Sequence, residues 1–443
     1  MKTRHFLILF LGLIGLAWAW DALVVHPMAG DAAWVVRKQL IYFTGVASMG
    51  LMSLVMVLAT RPVWLESWLG GMDRIFQLHK RAGILAISLG VAHWLVKISK
   101  GALISVLGAI VDKPASLPLL EAFQSSKGLA KDVGEWVIYA LILTLVLTLW
   151  KVVPYKAWRL VHKVMPVLYL ALVFHAVVLM PAVWWTQPLG LLMGGLLVAG
   201  SLAAVSALRQ RIGHRRRHAG VVESVTRQAS GVTEVRCVMA ADWPGHVAGQ
   251  FAFVQFDRSE GFHPFTIADA DRGAARRLTF QIKALGDYTS RLAQQLHPGQ
   301  HVLVEGPYGR FDHTRGDREQ IWVAGGIGIT PFVAWLESLQ DTPDKAPQAH
   351  LHYCIRDAAQ DPFVPRLRAL CARLPQIRLQ IHEARAGQRL DAGTLRADWK
   401  AGGGVMPEIW FCGPVGLARH LEDGLRALGL DRVRWHREAF DMR

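Results

Sequence analysis

The chain has 443 residues, enough for two or three domains, and 52% of them are hydrophobic. The mean hydropathy of +0.26 is high for a soluble protein and indicates membrane-spanning segments. A net charge of +15 would suit a nucleic-acid-binding protein, but many basic residues flank apolar runs, where the positive-inside rule expects them. Composition therefore excludes a wholly soluble protein and gives no reason to expect a nucleic-acid partner.

Six apolar segments fill the first half of the chain, each close to the ~20 residues that cross a bilayer. The first resembles a signal peptide, but its apolar run continues to Val25, which favours a retained helix. Both ends of the six-span unit then lie on one side, where Lys and Arg are more frequent. We expect a multi-pass protein of the inner or plasma membrane with a cytoplasmic C-terminal half. The expected spans are 6–25, 38–59, 79–98, 133–150, 160–180 and 184–208.

The C-terminal half changes pattern twice. Short alternating strands separated by Gly and Pro predict an antiparallel β-barrel, and alternating strands and helices then predict an α/β domain with a parallel sheet. The predicted domains are 1–213, 214–316 and 317–443. All four cysteines lie in this half, which suits a reducing compartment. The predicted strands are 218–227, 232–239, 251–256, 278–284, 301–304, 321–324, 351–355 and 409–412, and the predicted helices are 331–339, 363–373 and 415–428.

Four histidines lie within two of the predicted spans that run in the same direction. Span three contains His79 and His93, and span five contains His162 and His175. The two histidines of each span are separated by nearly four helical turns, roughly 20 Å. Ionisable residues inside a membrane are costly and are therefore candidates for function. Imidazoles at two matched depths on two helices suit two stacked haems, each bound by two neutral imidazoles.

The step of 13 residues between His162 and His175 leaves the second imidazole about 140° around the helix from the first. Pro166 lies between them and could kink the helix. Alternatively, the two haem planes are rotated relative to each other. The sequence leaves both explanations open.

These histidine spacings, and the segment His79-Lys80-Arg81-Ala82-Gly83, resemble the transmembrane component of the ferric reductase/NADPH oxidase family. The resemblance implies two b-type haems, with His79 and His162 binding the inner one and His93 and His175 binding the outer one. Lys80, Arg81 and Lys163 would meet the inner haem propionates or serve as ordinary positive-inside residues.

Two short motifs lie in the predicted barrel, His263-Pro264-Phe265-Thr266 at a strand end and Gly286-Asp287-Tyr288-Thr289 before a helix. A backbone and hydroxyl beside a strand can hold a flavin ring, and a helix N-terminus offers N–H groups to a pyrophosphate. In this order they resemble the FAD-binding half of the ferredoxin-reductase-type family. Gly306-Pro307-Tyr308-Gly309 resembles the turn that closes that half. The resemblance implies bound FAD, with Lys283 among the cofactor-binding residues.

The segment Gly325-Gly326-Ile327-Gly328-Ile329-Thr330-Pro331 lies between a predicted buried strand and a helix. Glycines let the backbone approach phosphate, and proline suits the first helical turn. The segment resembles the NAD(P)H-binding segment of the same family. Arg356 follows a strand where a cation could meet the 2′-phosphate of NADPH, so NADPH is favoured and NADH stays open.

Two further segments are predicted to lie near the reacting part of the cofactors. Phe411-Cys412-Gly413-Pro414 ends a strand where the family brings the nicotinamide near the flavin, and Cys412 is either a catalytic or a packing residue. Glu438-Ala439-Phe440 resembles the closing segment of the family, whose aromatic residue stacks on the flavin. Here Asp441-Met442-Arg443 follow Phe440, which departs from oxidases that end at the aromatic residue.

Together these patterns predict an enzyme that passes electrons from cytoplasmic NAD(P)H through FAD and two haems to an acceptor on the outer face. The acceptor is either O2, as in an NADPH oxidase, or a ferric chelate, as in a ferric reductase. Arg37 and Lys97 lie near the outer haem level and could attract anions. The rivals are a haem subunit that passes electrons to a partner protein and a membrane-tethered flavin reductase with structural histidines. The expected partners are the lipid bilayer and this small acceptor, and a homo-oligomer stays open.

Overall fold

The computed structural model divides into two compact units, Met1–Ile212 and Gly213–Arg443. Each unit has its own hydrophobic core. The residues that the structure describes are 3–107, 114, 117–150, 155–258, 260–316, 319–401, 408–430 and 432–438.

Within the described residues, the first unit has six helical segments long and apolar enough to cross a membrane, which confirms the predicted number of spans. These segments are Thr3–Val25, Ala32–Ala59, Met72–Ile98, Glu121–Leu149, Ala157–Leu179 and Pro188–Leu208. Spans three and four begin earlier than predicted, because their first turns are helical but carry charged residues such as Asp73 and Lys127. The α-helices are α1 (Thr3–Trp20), α2 (Ala32–Ala59), α3 (Val63–Leu69), α4 (Met72–Ile98), α5 (Lys100–Leu107), α6 (Lys127–Leu149), α7 (Tyr155–His162), α8 (Met165–Leu179) and α9 (Pro188–Leu208).

Polar side chains join the helices of this unit inside its apolar core. The hydroxyls of Ser53 on α2 and Tyr169 on α8 are 2.8 Å apart, and both side chains are buried. The buried carboxylate of Asp21 accepts a hydrogen bond of 2.8 Å from the indole of Trp184 and lies 2.7 Å from Nδ1 of His26. Because unpaired polar groups are costly in hydrocarbon, these bonds hold particular helices together.

The second unit begins with a sheet of six antiparallel strands. Their order across the sheet is β4-β3-β6-β1-β2-β5, and an isolated bridge from Ile267 to Phe280 nearly closes it into a barrel. Alternate side chains fill the interior with residues such as Val235 and Val304, as the predicted alternation requires. The predicted antiparallel barrel is confirmed. Its elements are β1 (Arg217–Arg227), β2 (Val232–Met239), β3 (Phe251–Gln255), β4 (His263–Thr266), β5 (Arg277–Lys283), α10 (Asp287–Gln295) and β6 (His301–Tyr308).

A parallel sheet with the order β11-β10-β7-β8-β9 follows and confirms the predicted α/β domain. Strands β8 and β9 are added in turn on one side of β7, and β10 then pairs with the other side of β7. We did not predict β9 from the sequence, although its apolar and polar residues alternate, nor the three-residue β11 or helix α13. The elements are β7 (Glu319–Gly325), α11 (Thr330–Gln340), β8 (Gln348–Ile355), α12 (Phe363–Ala372), β9 (Ile377–Glu383), α13 (Ala392–Ala401), β10 (Glu408–Cys412), α14 (Val415–Ala427) and β11 (Trp435–Arg437).

Two buried histidines and a carboxylate connect β8, β9 and α13 on one face of this sheet. Nδ1 of His352 lies 3.1 Å from Nε2 of His382, and Nε2 of His352 lies 3.0 Å from Oδ2 of Asp398. Burial, and then the neighbouring His352, lower the pKa of His382 from 6.5 to about 4. The folded sheet therefore holds this imidazole neutral at pH values where an exposed histidine would take up a proton.

This shift predicts that the second unit loses stability as the pH falls below 6.5. Between pH 6.5 and about 4 the unfolded His382 binds a proton that the folded residue excludes, so stability falls as the pH drops. Calorimetry of the full-length protein in detergent should show this fall in the unfolding temperature. His382→Gln should make the dependence on pH shallower, and the same change at the exposed His297 should not. An unchanged slope in His382→Gln would contradict the assignment.

Candidate functional site

The four histidines predicted as ligands lie in two pairs between the same two spans. The ring centres of His79 on α4 and His162 at the end of α7 are 6.1 Å apart. Those of His93 on α4 and His175 on α8 are 6.4 Å apart. The structure therefore brings together the residues that the family resemblance pairs, one pair near each end of α4.

Span five is interrupted between its two histidines. Helix α7 ends at His162, and α8 begins at Met165 with Pro166 in its first turn. The residues between the helices form a turn, so a straight-helix angle between the two imidazoles does not apply. Of the two explanations left open by the sequence, the structure favours the break near proline.

The spacing within each pair fits an iron atom bound between the rings. An imidazole nitrogen binds a first-row metal at about 2 Å, so two rings on opposite sides of one metal have centres about 6 Å apart. Both observed separations agree with this value. Two facing imidazoles also match the axial ligation of a haem by two histidines.

Hydrogen bonds from Nδ1 orient three of the four imidazoles. Nδ1 of His79 lies 3.1 Å from the carbonyl oxygen of Val55. Nδ1 of His93 lies 2.9 Å from the carbonyl oxygen of Ile41, and Nδ1 of His175 lies 2.7 Å from that of Ala130. A carbonyl only accepts, so each Nδ1 carries the proton and donates it. The lone pair of each ring is consequently on Nε2, which is the nitrogen left for a metal.

His162 differs from the other three histidines. Its Nδ1 is buried and has no hydrogen-bond partner among the described residues. Its ring instead stacks on the indole of Trp158, one helical turn earlier, with ring centres 5.1 Å apart and planes 22° apart. The inner pair is therefore held by one hydrogen bond and one aromatic contact, and the outer pair by two hydrogen bonds.

Three of the cations considered in the sequence analysis have protein partners. The ammonium group of Lys97 lies 2.7 Å from the Glu135 carboxylate, and Arg37 donates a 2.7 Å hydrogen bond to the Lys97 carbonyl. Arg81 donates a 2.8 Å hydrogen bond to the hydroxyl of Thr3. We did not predict Glu135, which neutralises much of the charge of Lys97 at the end of α4 nearer to His93.

Sequence reasoning also missed two glycines beside the outer histidines. A Cβ added to Gly45 on α2 would lie 3.2 Å from Nδ1 of His93, and one added to Gly134 on α6 would collide with the ring of His175. The available signal was a glycine in each span that neighbours a histidine span, but only the tertiary packing shows which glycine faces which ring.

The predicted flavin motifs meet at one edge of the barrel. The ring of Tyr288, at the start of α10, stacks on His263 of β4, with centres 4.0 Å apart and planes 15° apart. The Tyr288 hydroxyl is buried without a hydrogen-bond partner among the described residues, and burial raises the pKa of this phenol. A buried hydroxyl without a partner indicates space for a polar ligand group. The Thr289 hydroxyl accepts hydrogen bonds from the backbone N–H groups of residues 285 and 286.

The remaining barrel residues of the motifs lie in the same neighbourhood. Pro264 and Phe265 belong to β4, which ends at the buried Thr266. Gly286 is the N-cap of α10, and Asp287 is the first residue of that helix. Gly306 lies in β6 and packs on β3, where a Cβ added to Gly306 would be 3.2 Å from the Cβ of Ala252. These residues fit a bound flavin nucleotide with its phosphates at the α10 N-terminus.

The glycine segment 325–328 lies where the parallel sheet reverses its strand order, between β7 and β10. A Cβ on Gly328 would overlap the Cys412 carbonyl, and one on Gly413 would lie 2.9 Å from the Gly325 backbone nitrogen. In parallel α/β sheets, ligands bind at the carboxyl ends of the strands at this reversal. The turn then enters α11 through Thr330 and Pro331. This geometry fits the nucleotide site predicted at 325–331 and 412–414, which stays a prediction.

Lys283 connects the two halves of this unit at the same edge. It ends β5 of the barrel, and its ammonium nitrogen is 3.8 Å from the position that a Cβ would occupy on Gly326. Gly326 itself has φ +55°, a left-handed conformation that favours glycine. A cation placed beside a glycine turn suits the phosphates of a dinucleotide.

Three other predicted residues differ in how far the structure describes them. Cys412 is completely buried in the core, and burial raises the pKa of its thiol well above the usual value. Arg356 is exposed directly after β8. Phe440 lies outside the described residues, although Glu438, two positions earlier, lies beside Gly309 of the barrel. The catalytic roles of Cys412 and Phe440 stay predictions.

Comparison with known proteins agrees with this division. Residues 44–173 match the family model of the ferric reductase like transmembrane component, and residues 224–312 match that of an FAD-binding domain. The vanillate O-demethylase oxidoreductase of Pseudomonas putida is 30% identical over 37% of this chain and 50% of that protein. An NADPH oxidoreductase of Mycobacterium tuberculosis is 31% identical over 40% and 47%. The carnitine monooxygenase reductase subunit of Escherichia coli is 29% identical over 34% and 43%. The chain spans about half the length of the curated relatives it matches.

Six candidate membrane spans are joined to an FAD-binding domain and a parallel-sheet domain, which defines a membrane-spanning protein of the flavoprotein class. The chain combines a ferric reductase-like transmembrane component with an FAD-binding domain, the combination of the ferric reductase/NADPH oxidase family. The predicted resemblance is confirmed.

The close approach of Gly328 to Cys412 predicts a strict size limit at the nucleotide turn. Gly328→Ala should push the turn away from β10 and lower kcat/KM for NADPH roughly tenfold or more, because misplaced reactants lose rate steeply. NADPH-dependent reduction of ferricyanide would measure this step. Gly416→Ala on α14, where an added Cβ meets no atom within 4 Å, is the matched control. Normal kcat/KM in Gly328→Ala would contradict the proposed nucleotide position.

Proposed function

We propose that this protein passes electrons from cytoplasmic NAD(P)H through FAD and two b-type haems to a small acceptor on the outer face of the membrane. The observation that carries the proposal is the presence of two imidazole pairs, each with the spacing of metal ligands. They lie near opposite ends of a helix long enough to cross the bilayer. The same chain contains a flavin domain and a nucleotide fold, which together supply a source of electrons.

Particular residues would hold each group. His79 with His162 and His93 with His175 bind the two irons, and the β4 and α10 motifs hold the flavin. The glycine segment 325–331 and residues 412–414 hold the nicotinamide nucleotide, and the exposed Arg356 supports recognition of a 2′-phosphate. The chemistry supplied by these groups is hydride acceptance at the flavin and single-electron transfer at each haem.

The histidines can bind metal because they are held as neutral imidazoles with a fixed tautomer. Their Nδ1 hydrogen bonds to carbonyl oxygens at three of the four positions keep the proton on Nδ1 and leave Nε2 free to bind a metal. Both ends of the membrane unit lie on the same side, and the segments on that side contain more Lys and Arg than those on the other. By the positive-inside rule, this supports a cytoplasmic second unit. Electrons would then leave at the outer pair, His93 and His175.

Two small acceptors fit a site that delivers one electron at a time. Reduction of O2 by one electron gives superoxide, and reduction of a ferric chelate gives the ferrous ion. The outer end of α4 carries Lys97 and Glu135 as an ion pair, so its charges attract neither class of acceptor strongly.

An alternative function is delivery of electrons to a partner protein. It is favoured by relatives named as a demethylase oxidoreductase and a monooxygenase reductase subunit. The imidazole pairs favour the transmembrane route, because a reductase that serves a soluble partner does not need ligands at two membrane depths.

Removal of an outer histidine ligand should distinguish the two haems in the absorption spectrum. The difference spectrum of the dithionite-reduced protein should show b-type haem, and His175→Ala should lose about half of that signal. The remaining inner haem should still be reduced by NADPH, whereas transfer to an outside acceptor should stop. His5→Ala, at an exposed position on α1, is the control. A wild-type protein without b-type haem would refute the transmembrane route and leave the flavin reductase.

The acceptor can be identified by NADPH-driven turnover in proteoliposomes with the second unit outside and the acceptor trapped within. Superoxide formed inside without iron would indicate an oxidase, and ferrous iron released from ferric citrate under argon would indicate a ferric reductase. His93→Ala should abolish either product. Turnover that requires an added soluble oxygenase, with neither product formed, would favour the partner-protein alternative.

A further inference from the structure

The two outer histidines are held by the same local arrangement on two different helices. Nδ1 of His93 bonds to the carbonyl of Ile41 on α2, and the residue four positions later is Gly45. Nδ1 of His175 bonds to the carbonyl of Ala130 on α6, and the residue four positions later is Gly134. The arrangement therefore occurs twice, once for each ligand of the outer pair.

Helix geometry explains why a glycine stands at this position. In an α-helix the carbonyl of residue i already accepts the N–H of residue i+4. A carbonyl has a second lone pair, and a side chain from another helix approaches it alongside the Cβ of residue i+4, so a glycine at i+4 permits the closest approach. A Cβ on Gly45 would lie 3.2 Å from the His93 ring, and one on Gly134 would collide with the His175 ring. The missing Cβ atoms thus admit the two hydrogen bonds.

The inner pair lacks this arrangement. Nδ1 of His79 reaches the carbonyl of Val55 at 3.1 Å, longer than both outer bonds, and the residue four positions later is Ala59. Nδ1 of His162 has no hydrogen-bond partner among the described residues. The outer pair therefore donates two short hydrogen bonds, and the inner pair donates one longer bond.

We infer that Gly45 and Gly134 are positioning residues that make the outer haem the harder of the two to reduce. An imidazole that donates Nδ1–H to a carbonyl is a more basic ligand, and a more basic ligand favours the ferric state of the iron it binds. The inference rests on the proposed function, since it presumes that both pairs bind haem. Its consequence is a strongly reducing terminal site, in which an electron stays briefly before an outside acceptor removes it.

Potentiometric titration of the full-length protein in detergent, followed by haem absorbance, tests this inference. The wild-type protein should show two one-electron components at different potentials. His175→Ala should remove the component with the lower potential, because that variant loses the outer haem. Loss of the component with the higher potential would overturn the inference.

Glycine variants test the cause of the difference. Gly134→Ala should displace the His175 ring from the Ala130 carbonyl and favour reduction of the outer haem about tenfold, which corresponds to 59 mV for one electron. Gly45→Ala should shift the same component in the same direction by less, because its added Cβ makes a milder contact. This second variant decides the result if Gly134→Ala fails to retain its haem.

Two glycines serve as matched controls. An added Cβ meets no atom within 4 Å at Gly12 on α1 or at Gly195 on α9. Gly12→Ala and Gly195→Ala should leave both potentials unchanged. Equal potentials in the wild type, or an unshifted outer component in Gly45→Ala, would refute only this inference. A complete absence of haem would refute the proposed function as well.

Discussion

The membrane unit depends on how a buried imidazole is held, because each ring has two nitrogens and neither can turn to water. In His79, His93 and His175 Nδ1 donates to a backbone carbonyl, which leaves the lone pair on Nε2. The ring centres of each pair are 6.1 and 6.4 Å apart, the separation expected for two imidazoles that bind one metal from opposite sides. Helix breaks, glycines and the packing of α2 and α6 against these rings all serve that placement.

Close backbone approach plays the corresponding part in the second unit. Two turns come into van der Waals contact where the parallel sheet reverses its strand order, because they contain Gly325, Gly328 and Gly413. The carboxyl ends of β7 and β10 therefore form one surface. Lys283 reaches the same surface from the barrel strand β5. Both units therefore build their sites at places where missing side chains let backbone groups come close to a ring or a phosphate.

The inner and outer pairs have different surroundings although histidine alone forms both. His162 stacks on Trp158 and leaves Nδ1 without a partner among the described residues, whereas His175 donates a short bond to Ala130. This asymmetry lies in the residues around the histidines, not in the histidines themselves. If both pairs bind haem as proposed, the asymmetry gives the protein a means to set two haems at different potentials within one bundle of helices.

The sequence by itself determined the six spans, the order of barrel and α/β domain, and the four histidines, because these follow from local hydropathy, periodicity and the cost of burying an ionisable group. Most of the flavin and nucleotide residues followed from short motifs that a turn or strand end requires. Only the tertiary structure decided that α7 ends at His162, that Gly134 faces His175, and that Glu135 pairs with Lys97. Those relations join residues far apart in the chain, and no local pattern records which helix face a distant side chain will meet.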